Sequence, residues 1–256
     1  MSTLVPALPV DEYLAVIRRE GEQFAATLQA QWLDATVPTC PEWTLRSLAQ
    51  HLGRVHIWAA AHVEEARPDQ LSYEEEQAEW GRMPADPELV SWYLGTVDRL
   101  LRALTTAPAN VQCWTFLPAP TPLQFWARRQ AHELTIHRVD AQLVTGPVAP
   151  MTERFAVDGI EELVLGFFGR RRSRLRSPEQ PRTLAIRTDA ASWLVHIGLD
   201  GAQPERGEGP ADCTVAGAAS DVYYALWNRL PLHDLRVDGD PAVLDLWTSN
   251  ATVRWS

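Results

Sequence analysis

The chain has 256 residues, 46% of them hydrophobic, and a formal net charge of −10. That size and apolar content suit one large or two modest globular domains, and the acidic balance excludes a general nucleic-acid-binding surface. No apolar run reaches membrane-spanning length and MSTLVPALPVDEY has no basic leader, so a cytoplasmic protein without membrane or nucleic-acid partners is expected.

Cys40, Cys113 and Cys213 are scattered and form no C-x-x-C pair, which argues against a disulfide framework and against a thiolate metal cluster. All 23 basic side chains are arginines. The absence of lysine removes Schiff-base chemistry and the phosphate-loop lysine together.

In chain order, a first helix is expected over Val10 to Gln31, followed by a loop, DATVPTCPEW. A second helix starts near Thr44, with Leu45, Leu48, Leu52, Val55 and Ala59 recurring at helical spacing as one buried stripe. Trp43 reads as an anchor of its cap region, and Cys40 as packing in a Pro-flanked turn. The polar stretch 67–85 reads as loop. DPE at 86–88 and TPLQ at 121–124 each supply a capping residue followed by proline at the first helical position, so they open a third and a fourth helix. Four such helices can bury their stripes as a bundle.

TGPVAP at 145–150 is a breaker cluster and marks the domain boundary, giving 1–150 and 151–256. A fifth helix is expected over 152–170. Its basic run GRRRSRLR reads as a solvated helix end leading into a linker. Beyond it the period changes to alternation: RTLAIRT, SWLVHIGLD, DCTVAGA and LRVDGD read as short strands. ASDVYYALWNRL and PAVLDLWTSN return to helical spacing. The fold class is therefore mainly α, a four-helix bundle followed by a small α+β domain.

ARRQAHELTIHRVDAQ, residues 127–142, places Glu133 and His137 one helical turn apart on one face, able to hold an ion between them. His132 points about 100° away from Glu133. Of the histidines on the second helix, His51 flanks the buried stripe beside Leu48 and Val55, whereas His56 lies on the opposite flank. A bundle that joins the inner flanks of the second and fourth helices brings His51, Glu133 and His137 to one point. Three N/O ligands with an open position suit a catalytic zinc or similar divalent ion. Spacing alone leaves open the plainer reading of buried, hydrogen-bonded histidines. Asp140 is placed to orient His137 or to pair with a neighbouring arginine. Arg229, in LWNRLP, is placed to meet a carboxylate or to cap a helix.

VPTCPEWTLRSLAQHLGRVHIWAA (37–60), RRQAHELTIHRVDA (128–141) and the tail DCTVAGAASDVYYALWNRLPLHDLRVDGDPAVLDLW resemble the mycothiol-dependent maleylpyruvate isomerase family, over nearly the whole chain. The resemblance implies a DinB-like metal-binding four-helix bundle and a sterol-carrier-like C-terminal domain. It implies metal ligands at His51, Glu133 and His137, and mycothiol as thiol cosubstrate. The implied chemistry is attack of a metal-held thiolate on a small electrophile, as isomerase or S-transferase. The thiol is expected from outside the chain. The rival reading is a non-catalytic small-molecule or lipid-binding protein, or a regulator, whose metal site is structural or vestigial. A monomer or weak dimer is expected.

Overall fold

The computed structural model describes residues 8–170 and 174–251, which divide into two compact units, one from Leu8 to Ala149 and one from Pro150 onward. In the first unit five helices run in order: α1 (Val10–Thr27), α2 (Leu45–Glu64), α3 (Tyr73–Trp80), α4 (Asp86–Thr106) and α5 (Pro122–Thr145). Between α1 and α2 lies a two-stranded antiparallel hairpin, β1 (Thr36–Val37) and β2 (Cys40–Thr44).

Local chemistry sets these boundaries. Thr44 caps α2 in a reciprocal box with Ser47, whose hydroxyl accepts from the Thr44 amide at 2.9 Å. Thr121 accepts from the Gln124 amide and Pro122 occupies the first turn of α5. The stretch expected as loop at 67–85 contains α3, because Ser72 and Glu75 form a capping box and Glu74, Glu75 and Glu76 face the positive end of the helix. Trp80 then ties α3 to α2, donating its indole N–H to the Arg54 carbonyl at 3.2 Å. The first helix is shorter than expected, ending at Thr27, with a 3₁₀ turn at Ala30–Trp32.

α2 and α4 pack closely because residue 53 is glycine: a Cβ there would lie 2.1 Å from the Trp92 ring. α5 is the central helix of the unit. From Leu123 to Ala141 nearly every residue is buried, including Arg129, Gln130, His132, Glu133, His137, Arg138 and Asp140. A helix that buries this many polar groups must supply a partner or a ligand for each.

The second unit opens with α6 (Glu153–Glu161), continued by a π-helical stretch over Glu162–Phe167. Arg170 closes that stretch, donating to the Phe167 carbonyl at 3.3 Å; residues 171–173 of the basic run lie outside the described residues. A five-stranded sheet follows, ordered β5-β4-β3-β6-β7, with β3 (Arg182–Arg187), β4 (Ser192–Ile197), β5 (Ala202–Arg206), β6 (Cys213–Ala216) and β7 (Arg236–Gly239). Only β3–β6 is parallel; the other pairs are antiparallel. α7 (Ala219–Leu226) and α8 (Ala242–Asn250) complete the unit. β5 has no apolar alternation and contains Pro204. An edge strand, paired only with β4, tolerates both. Buried Glu161 joins α6 to the sheet by accepting from Trp193 Nε1 at 3.1 Å and Arg206 Nε at 2.6 Å.

Candidate metal centre

His51 comes from α2, Glu133 and His137 from α5, and one donor atom of each lies within 4.8 Å of the others. Glu133 Oε1 is 3.2 Å from His137 Nε2 and 3.6 Å from His51 Nε2. The two carboxylate oxygens are treated differently. Oε2 accepts from Arg129 Nη2 at 2.8 Å, whereas Oε1 is buried without a hydrogen-bond partner.

His137 shows why this arrangement calls for a cation. Its Nδ1 is 2.8 Å from Asp140 Oδ2, and the second Asp140 oxygen accepts from the Thr39 hydroxyl. A proton on Nδ1 directed at Asp140 leaves the Nε2 lone pair of a neutral imidazole facing the bare Oε1. Two lone pairs at that range need a proton or a metal ion between them. Burial opposes charge on His137, but Asp140 and Glu133 outweigh it and push its pKa up to about 9. Burial likewise disfavours the Glu133 carboxylate, yet His137, His51 and Arg129 hold its pKa well below the ordinary carboxylate range. His51 moves the other way, lowered chiefly by burial, which favours the neutral imidazole that metal ligation would need. The residues therefore fit a divalent ion. Its entry would displace the proton, as ligation by imidazole requires.

Trp43 closes one side. Its ring lies 4.6 Å from the His51 ring, edge to face, and 6.3 Å from the His137 ring at an interplanar angle of 17°. Thr39 lies in the turn and Trp43 in β2 of the same short hairpin, and neither was expected at the site. Their signal in the sequence is faint: two residues on either side of C-P-E, just ahead of the α2 cap.

The other candidates sort as follows. His132 is fully buried on a different face of α5, with its ring 6.3 Å from that of Tyr13 on α1. His56 faces α4, its Nδ1 3.1 Å from the Thr96 hydroxyl. His62 sits among Trp58, Trp114 and Trp126, Nδ1 against the Trp58 carbonyl at 2.8 Å. Asp140 is the His137 partner. Arg229 belongs to the second unit, where its Nη1 donates to the Trp227 carbonyl at 2.7 Å just past α7. Cys40 is half-buried in β2 beside Thr39.

A family model for the mycothiol maleylpyruvate isomerase N-terminal domain matches residues 14–142, and one for the MDMPI C-terminal domain matches residues 154–246. The chain belongs to the mycothiol maleylpyruvate isomerase family. Two solved structures share its fold. One, titled as the mycothiol-dependent maleylpyruvate isomerase, aligns at a TM-score of 0.61 and 15% identity, covering 87% of this chain and 90% of that one. The other, a histidine-to-alanine mutant bearing the same description, aligns at 0.63 and 14% identity, covering 90% and 93%. No curated protein matches the chain. Membership in the isomerase family places the chain among enzymes. Among the described residues no helix is long and apolar enough to cross a membrane.

Proposed function

We propose that this family member is a divalent-metal- and mycothiol-dependent enzyme, an isomerase or S-transferase acting on a small electrophile. The observation that carries the metal is Glu133 Oε1, a buried carboxylate oxygen without a hydrogen-bond partner, facing the Nε2 atoms of His51 and His137. Zinc suits a mixed imidazole and carboxylate set with no redox demand. When bound, such an ion supplies a Lewis-acidic position at which an external thiol is held as thiolate at neutral pH.

The chain's own residues then have distinct tasks. Asp140, held by Thr39, fixes the ring and tautomer of His137. Trp43 and the buried body of α5 limit the space around the open position. For a cis-alkene such as maleylpyruvate, the thiolate sulfur forms a bond to one alkene carbon and the electron pair moves onto the conjugated carbonyl. The former double bond rotates, and return of the pair expels the thiolate with trans geometry. Nothing is oxidised or reduced, and the thiol is regenerated. An electrophile with a leaving group would instead retain the sulfur, which is S-transfer.

The direct test is metal content after dialysis. The wild type and His132→Ala should each retain one divalent ion per chain, and His137→Ala none. Mycothiol-dependent turnover of maleylpyruvate, with or without chelator, should follow the metal. A wild type that binds no metal, or alanine variants that behave alike, would overturn this reading.

A further inference from the structure

Arg129, Glu133 and His137 follow one another at intervals of four along α5, and Arg129 is as buried as the ligands, its side chain 1% exposed. Its guanidinium reaches the site through Nη2, which donates to Glu133 Oε2 at 2.8 Å, a charge-assisted bond inside the bundle. The effect on Glu133 is asymmetric. Oε2 is pinned and turned away, and only Oε1 faces the imidazoles.

We infer that Arg129 is a positioning residue that keeps a coordination position open for thiolate, by restricting Glu133 to one ligating oxygen and by placing a positive charge beside it. This rests on the metal reading above. A carboxylate free to rotate can offer both oxygens to one ion and so consume the position a thiol needs. The bond from Arg129 prevents that.

Charge works in the same direction. A guanidinium held on the carboxylate of Glu133 favours an anion such as a thiolate at the same buried site, because charges act more strongly where water is excluded.

The test uses cobalt as a spectroscopic substitute for the native ion and 2-mercaptoethanol as the thiol, in full-length protein. The wild type should bind one cobalt per chain and develop a thiolate-to-cobalt charge-transfer band that saturates at one thiol. Arg129→Gln should keep the cobalt and weaken thiol binding about ten- to a hundredfold, the range expected for removing one nearby buried charge at an effective dielectric of about 20. Arg129→Lys, which keeps the charge, should recover most of the loss.

Wild-type cobalt binding without any effect of Arg129→Gln on the thiol titration would overturn the inference and leave the metal reading standing. So would loss of cobalt from a folded Arg129→Gln, since Arg129 would then be a prop for the ligand itself. No cobalt in the wild type would remove the metal reading. Should Arg129→Gln fail to fold, the wild type alone decides: cobalt uptake with no thiolate-to-cobalt band contradicts the open position.

Discussion

Two glutamates are buried in the bundle, each beside an arginine of α5, and they are finished differently. Glu20 on α1 has both oxygens engaged. Oε1 accepts from Arg19 Nε and Nη2 at 2.9 and 2.7 Å, and Oε2 from Arg138 Nε at 2.7 Å. Arg138 in turn reaches Gln142 and the Ala149 carbonyl, so the pair clamps α1 to α5 and to the end of the unit. Glu133 is engaged at Oε2 only. The completed pair is architecture, whereas the incomplete one leaves Oε1 without a hydrogen-bond partner, the feature on which the proposed metal site rests. Both carboxylates are buried; what separates them is the count of satisfied oxygens.

The largest effect expected from that contrast is on stability at Glu20. Glu20→Gln leaves Arg138 buried opposite a neutral amide and should cost about 3–5 kcal/mol in urea denaturation, the range for breaking a buried pair from one side. Metal stoichiometry in the folded fraction should stay at one. A loss under about 1 kcal/mol would mean that the clamp is not structural.

A crossed chelator experiment sharpens the comparison further. With free ion at roughly a hundred times its dissociation constant, binding stabilises the fold by about 2.7 kcal/mol. Chelator should remove that increment from the wild type and from Glu20→Gln, and should leave Glu133→Gln unmoved. A chelator response that survives in Glu133→Gln would place the ion elsewhere.

The next effect is smaller and concerns the support of His137. Asp140→Asn should weaken metal binding about ten- to a hundredfold without changing stoichiometry at saturation, as removal of a ligand's hydrogen-bond partner does elsewhere. Thr39→Val, one bond further out, should weaken it less, and an order reversed in competition titrations would break the proposed chain Thr39–Asp140–His137.

Smallest is an acid effect far from both carboxylates. Glu75 caps α3, and hydrogen bonds from the Ser72 amide, the Ser72 hydroxyl and Arg67 lower its pKa from the ordinary 4.5 to about 2. A depressed carboxylate contributes stability that is full above 4.5 and lost as pH falls towards 2. Amide exchange in α3 should therefore accelerate across that window in the wild type and be less pH-dependent in Glu75→Gln.

How much of this was legible depended on whether a residue announced itself by period. The bundle, the sheet domain and the break near 145–150 follow from apolar spacing and breaker residues. Glu133 and His137 stood out by their four-residue interval, and His51 by its place beside the α2 stripe. The structure buries all of HELTIHRVD. Hydrophobic periodicity cannot reveal a helix whose buried surface is polar, so it carried no signal for Arg129 and Arg138. Thr39 and Trp43 were hidden for another reason: a two-residue strand, a turn and a Pro-containing strand have no period to detect. Their roles depend on where the hairpin docks, and that is long-range information.

The same hairpin governs when the site can exist. Thr39 and Asp140 are 101 residues apart in sequence, yet they share one hydrogen bond. Closing so long a loop is slow compared with forming any single helix, because the entropy of closure comes before the contacts that reward it. During synthesis the hairpin and α2 emerge well ahead of α5, so the nascent chain holds His51 without its partners. The proposed ligand set thus waits for α5, and metal capture by it would report that the bundle has closed.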